Sequence, residues 1–155
     1  MATMARKAGY RSRLVTADKD IYQLVTDDAP PVVQEDPRTG RWFTESAVRR
    51  RVGVMPSQMI DYLSLVGDSS DNIPGVRGIG PKTAVALLQA FGTMDGIFAD
   101  LDAVARLPIR GAKSLPKKLE AGQKDALKAR SLVTLRHDVD LGLPPEQVFE
   151  VTRWQ

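Results

Sequence analysis

GDSSDNIPGVRGIGPKTA, residues 67–84, sets two carboxylates, Asp68 and Asp71, within its first five residues and three glycines, Gly75, Gly78 and Gly80, within the six before Pro81. Two chemistries adjoin in one loop. Glycines let a backbone come close to an anion, and Pro81 suits the first turn of the apolar helix that KTAVALL predicts. The leading N–H groups of such a helix have no partner and carry partial positive charge. Arg77 and Lys82 stand beside them with full charges. The pattern reads as a phosphate clamp that grips a polyanion backbone without reading bases, the plain alternative being a tight turn whose glycines only permit packing. It does not match the G-x-x-x-x-G-K-[ST] phosphate loop.

The acidic half calls for a cation. Asp68 and Asp71 follow the end of an apolar helix, where the helix dipole disfavours negative charge unless something neutralises it. A second pair, Asp18 and Asp20, ends the run SRLVTADKD at the carboxyl end of a predicted strand, where α/β folds place their sites. Residues two apart in extended chain face one way, so both could serve one ion. Oxygen donors alone favour Mg²⁺ or Mn²⁺.

Composition narrows the classes. The chain has 155 residues, no cysteine, one histidine and a net charge of +3. Disulfide scaffolds, thiolate zinc sites and cysteine nucleophiles are excluded, and so is a histidine-rich metal centre. No apolar run reaches membrane-spanning length and the N-terminus does not read as a signal peptide, so a cytoplasmic location is expected.

Periodicity predicts a helix closing at Gly9, a buried strand over SRLV and a short helix over KDIYQLV with Ile21, Leu24 and Val25 inward. PVVQEDPRTGRWFT predicts a hairpin turning at residues 36–40. Thr44 should cap a helix that Gly53 ends, and a helix led by Pro56 should bury Met59, Ile60, Leu63 and Val66. From residue 81 the chain reads as successive helices, with GAKSLPKKLEAG and QKDALKARSLVTLR as separate ones, and then a proline-broken tail. The expected fold is therefore α/β and helix-rich. Its parts are residues 1–55, residues 56–145 and a tail at 146–155.

These motifs together resemble a known family. VTADKDIYQLV, GVMPSQMIDYLSLVGDSSDNIPGVRGIGPKTAVALLQAFG and RGAKSLPKKLE are similar to the 5'-nuclease domain of bacterial DNA polymerase I, a relative of flap endonucleases and small phage exonucleases. The resemblance covers residues 5–145 or so. It implies a remnant of a PIN-like parallel sheet followed by an all-helical helix-three-turn-helix subdomain of the helix-hairpin-helix kind. It also implies a metal-dependent phosphodiesterase that removes 5' ends, flaps and RNA primers, in a bacterial cytoplasm in association with the nucleoid.

Carried over by position, Asp18, Asp20, Asp68 and Asp71 would hold one metal ion, with no catalytic residue separate from them. Val76 and Ile79 would offer backbone carbonyls to potassium. Gly75, Arg77, Gly78, Gly80, Lys82 and Thr83 would contact duplex DNA, joined by Lys113, Lys117 and Lys118. The family's further carboxylates, and the basic arch over the scissile phosphate, lie upstream of what this sequence contains. That implies an N-terminal nuclease segment, and a polymerase downstream, as partners, with little cleavage expected from this chain alone. The alternative of a different class is a non-catalytic helix-hairpin-helix module that binds duplex DNA.

Other charged and aromatic residues read more plainly. Arg49, Arg50 and Arg51 are expected on a solvated helix face, Asp138 and Asp140 at the surface, and His137 exposed or hydrogen-bonded. Trp42, Phe43 and Trp154 are expected to pack in the core or against the hairpin.

Overall fold

The computed structural model describes residues 1–140 and 142. The expected tail and Trp154 lie outside the described residues. A short helix α1 (Ala2–Lys7) leads to β1 (Ser12–Val15), which pairs in parallel with β2 (Val32–Glu35) from Ser12↔Val32 to Val15↔Glu35. The crossover is one 3-10 turn (Lys19–Leu24) in place of an α-helix. The hairpin then brings β3 (Trp42–Phe43) antiparallel to β2, giving the order β1-β2-β3.

β1 was expected to be buried, and it is not. Val15 is 55% exposed. Among the described residues β1 has a strand neighbour on one side only, so its second edge is open. The 3-10 turn also departs from expectation. Its buried residue is Tyr22, with the ring 5.0 Å from Phe43, and Val25 just after it is buried as expected, while Ile21 and Leu24 are half-buried. A 3-10 turn repeats every three residues, which turns a different face inward than 3.6-residue spacing does.

α2 (Glu45–Val52) begins and ends as its sequence predicts. Thr44 accepts a hydrogen bond from the Ala47 amide, and Gly53 closes the helix at φ 98°. After a turn led by Pro56 comes α3 (Met59–Val66), which buries Met59, Leu63, Ser64 and Leu65. Ile60 and Val66 are only half-buried. The helices α4 (Pro81–Phe91) and α7 (Leu115–Val133) both pack on α3, so its burial is not confined to one stripe. Gln58 donates to the carbonyls of Leu88 and Gly92, and Asp61 accepts from the Met94 amide. These bonds tie α3 to the end of α4 and to the start of α5 (Met94–Ala99).

α6 (Leu101–Ala105) precedes α7, which is one continuous helix rather than the two expected. Gly122 does not terminate it. A Cβ there would lie 2.7 Å from Val76 Cγ1, so the glycine admits the loop of residues 75–80 against the helix. One apolar core runs from Tyr22 and Phe43 through Leu63 and Leu87 to Leu119 and Val133.

Between α3 and α4 lies the smallest element, the two-residue pair β4 (Gly67–Asp68) and β5 (Ile73–Pro74), in register Gly67↔Pro74 and Asp68↔Ile73. Gly67 has φ +78°, and a Cβ on it would meet the Gly75 nitrogen at 2.4 Å; a Cβ on Gly75 would meet the Val66 carbonyl carbon at 2.3 Å. Two backbones touch here with no room for a side chain. Gly75→Ala is expected to lower stability by about 1–3 kcal/mol, the usual range for overpacking, read as a shift in the urea midpoint. An unchanged midpoint would show that the contact yields freely.

Candidate metal centre and nucleic-acid interface

The carboxyl ends of β1 and β2 open onto a cleft of about 710 Å³, lined in part by Asp18, Lys19, Gln34, Asp68 and Asp71. Three carboxylates converge there. Single oxygens of Asp20, Asp68 and Asp71 all lie within 4.8 Å of one another. Asp18 is not part of this cluster. It is exposed and caps the 3-10 turn, accepting the Asp20 amide at 2.9 Å. The backbone bends into that turn at residue 19, so the shared orientation expected of extended chain is lost.

Asp68 is buried, and its neutralising cation is a side chain. Lys19 Nζ lies 2.6 Å from Asp68 Oδ2, while the Ser70 amide and hydroxyl both donate to Asp68 Oδ1. Burial pushes the Asp68 pKa up, but the Lys19 and Ser70 hydrogen bonds outweigh it and hold the carboxyl below its ordinary value. Asp20 goes the other way. Burial first, and then the charges of Asp18, Asp68 and Asp71, raise its pKa. Its Oδ1 is buried with no hydrogen-bond partner.

The supports of this cluster were not legible as functional residues. Gln34, buried within β2, donates from Nε2 to the carbonyls of Thr16 and Asp18, both at 2.9 Å, and so pins the segment that leads to Asp20. Gln23 donates to the Asp20 and Val133 carbonyls and accepts from the Leu135 amide, tying the same turn to the end of α7. A glutamine inside each apolar run, VVQE and IYQLV, was the available signal.

At the far end of the hairpin the loop turns at Gly78, φ +82°, and enters α4 at Gly80 with no side-chain cap on the helix. Arg77, Gly80 and Lys82 are exposed and Thr83 is half-buried. Gly75 is not at the turn; its place is the backbone contact described above. Val76 and Ile79 are buried, and the Val76 carbonyl already accepts the Ile79 amide at 2.9 Å. Lys117 and Lys118 stand on α7 beside the turn, and a Cβ on Gly78 would meet Lys118 Cδ at 3.3 Å. Lys113 is apart from them, in a separate depression with Arg106.

The remaining expectations divide. Arg49, Arg50 and Arg51 are exposed, and His137 Nδ1 lies 2.7 Å from Thr3 Oγ1. Asp138, exposed, pairs with Arg136. Phe43 is buried, but Trp42 is 53% exposed, against expectation, because the indole lies outside the core with the Arg13 guanidinium over it. Among the described residues no helix is long and apolar enough to cross a membrane.

A helix-rich α/β chain in which a small hairpin joins a carboxylate cluster to a glycine turn matches the family model "5'-3' exonuclease, C-terminal SAM fold" over residues 54–155. The chain belongs to this 5'-3' exonuclease family. It is 40% identical over 153 residues to DNA polymerase I of Pseudomonas aeruginosa, covering 96% of this chain and 16% of the polymerase. It is 38% identical over 141 residues to flap endonuclease Xni of Pectobacterium carotovorum, covering 91% of this chain and 50% of that protein. The chain thus spans a minor part of the polymerase and half of the endonuclease. Among solved structures, the T5 D15 flap endonuclease in a pseudo-enzyme-product complex with DNA and metal ions aligns at TM-score 0.69 and 25% identity, over 85% of this chain and 47% of that one.

Two measurements check the site. Because the raised Asp20 pKa means the folded state binds that proton more tightly, the charged carboxylate is a full cost above the folded pKa, a cost that vanishes below the ordinary 3.8. Asp20→Asn in EDTA should therefore raise the melting temperature at pH 7 by a few degrees, with the gain shrinking as the pH falls towards 3.8. Gln34→Leu should lose about 1–3 kcal/mol in a urea titration by stranding two carbonyls, and should weaken Mn²⁺ binding as well.

Proposed function

We propose that this chain is the part of a 5'-nuclease that holds one divalent ion at the scissile phosphate and grips the adjoining duplex. The observation that carries this is the hairpin of β4 and β5. Asp68 and Asp71 sit at its closed end and the Gly78 turn follows its open end, so one rigid element sets the spacing between ion and duplex.

The donor set fits such an ion. Three carboxylates converge, all donors are oxygen, and the buried Asp20 Oδ1 lacks a partner. Oxygen-only donors favour Mg²⁺ or Mn²⁺, and a bound ion of this kind would polarise a phosphoryl oxygen and make its water more acidic. Asp20, Asp68 and Asp71 would hold it, with Asp18 orienting the Asp20 turn. The Lys19 hydrogen bond favours the ionised form of Asp68. Residues 1–55 position the Asp20 turn, and residues 56–145 carry the hairpin and the duplex contacts.

The duplex is held by the uncapped start of α4 and by Arg77, Lys82, Lys117 and Lys118 around the Gly78 turn. These groups address phosphates, so the binding is insensitive to sequence. Lys113 reaches only a duplex that continues along the helical face. Potassium on the Val76 and Ile79 carbonyls belongs to the same reading. The same reading extends to flaps and RNA primers as substrates, to an upstream nuclease segment and a downstream polymerase as partners, and to a nucleoid setting, and the relatives named DNA polymerase I and flap endonuclease support it.

A three-carboxylate cluster supports one ion, whereas two-metal hydrolysis shares its charge over two. Cleavage by this chain alone is therefore expected to be weak. A labelled 5'-flap duplex should bind with strong salt dependence, and Lys82→Ala and Lys118→Ala should each flatten the log–log salt slope by about one. Any Mg²⁺-dependent cleavage should vanish in Asp71→Ala. Salt-insensitive binding would overturn the duplex assignment. Cleavage that survives Asp71→Ala would overturn the metal assignment, and binding that never yields cleavage, even with an upstream segment supplied, would leave the non-catalytic module.

A further inference from the structure

The duplex grip does not use a second basic surface, built on β3 and α2. Arg41, Arg50 and Arg51 line an open depression together with Trp42, Phe43 and Ala47. Among the described residues none of these three arginines forms an ion pair. The nearest acids on the hairpin are already matched, Glu35 by Arg13 at 2.9 Å and Asp36 by Arg38 at 3.5 Å. Positive charge is thus left over in the depression.

At its centre is an indole that the fold leaves out. Trp42 is 53% exposed, and Arg13 lies over its ring at 5.3 Å. Arg51 lies over Phe43 at 5.7 Å. An exposed indole in a depression lined by guanidiniums free of ion pairs, those of Arg41, Arg50 and Arg51, is what a nucleic acid with unstacked bases can use, because the base stacks on the ring while its flanking phosphates meet the cations. Paired bases in a duplex hide their faces against each other and gain nothing from the indole.

The depression also adjoins the carboxylate cleft. Phe43 and Arg51 line both, and Pro81, the first residue of α4, lines the cleft too. The two are contiguous through Phe43 and Arg51, so a strand leaving the duplex at the carboxylates lies next to the Trp42 depression.

We propose that the Trp42 depression binds single-stranded nucleic acid, one base stacking on Trp42 and the adjacent phosphates pairing with Arg41, Arg50 and Arg51. It is a second site, separate from the duplex grip at Gly78 and Lys118.

The test uses the whole chain carrying Trp154→Phe, so that Trp42 is the only tryptophan. A short oligothymidylate and a blunt duplex of mixed sequence are titrated separately. Oligothymidylate should quench the Trp42 fluorescence. Followed by anisotropy of labelled probes, Trp42→Ala should weaken oligothymidylate binding on the order of tenfold and leave duplex binding within about twofold. Trp42→Phe should restore most of the loss, and Arg50→Gln should flatten the salt slope for oligothymidylate by about one. Lys118→Ala should show the opposite preference, weakening only the duplex. Oligothymidylate binding unaffected by Trp42→Ala, or equal displacement by polyglutamate, would overturn the proposal, the latter by making the patch a general polyanion or acidic-protein surface. Duplex binding that is absent while oligothymidylate binds would count against the duplex grip alone.

Discussion

The hairpin that joins the carboxylate cluster to the glycine turn depends on a contact between two backbones, that of Val66 and Gly67 against that of Gly75. At 2.3 to 2.4 Å from any added Cβ, it admits hydrogen and nothing else. The contact lets β4 and β5 pair for only two residues and still hold register, since Val76 also donates to the Leu65 carbonyl at 2.8 Å. A ladder so short is marginal alone. Here β4 runs straight on from α3 and β5 packs against α7, both helices of the core, and these hold it in place.

That rigidity matters because the electrostatics work against the fold. Three carboxylates within 4.8 Å repel one another, and one of them, Asp20, has a buried oxygen with no partner. Such an arrangement persists only where packing over-determines it. Gln34 and Gln23 serve this end from one side, through the carbonyls of Thr16, Asp18 and Asp20, and the hairpin serves it from the other. Lys19 removes part of the repulsion by pairing with Asp68, the most deeply buried acid of the cluster. An acid two residues beyond a helix end needs a cation, and the first to meet that need is supplied by the chain itself.

Much was legible because the signals were local. Thr44 and Gly53 bracket α2 through their own side chain and torsion, and the turn at residues 36–40 follows from its proline and glycine. The run from Gly67 to Ala84 was the most specific of the stretches that together carried the resemblance to the family. Gly122 was misread as a break, since a glycine that ends a helix and one that admits a neighbour look the same in sequence. Trp42 was misread as packed, since a large apolar residue beside Phe43 gives no sign of which face the two-residue strand turns inward.

The sequence by itself determined the chemistry on offer: carboxylates without sulfur, and glycines and cations about a helix start. It did so because residue type decides which ligands a group can meet. Only the tertiary structure decided which groups meet. It drew Asp20 to Asp68 and Asp71 and left Asp18 as a cap, set Lys118 over Gly78, and turned Trp42 outward. These pairings join residues as far apart in sequence as Asp20 and Asp71 or follow from one bend of backbone, and no local spacing encodes them.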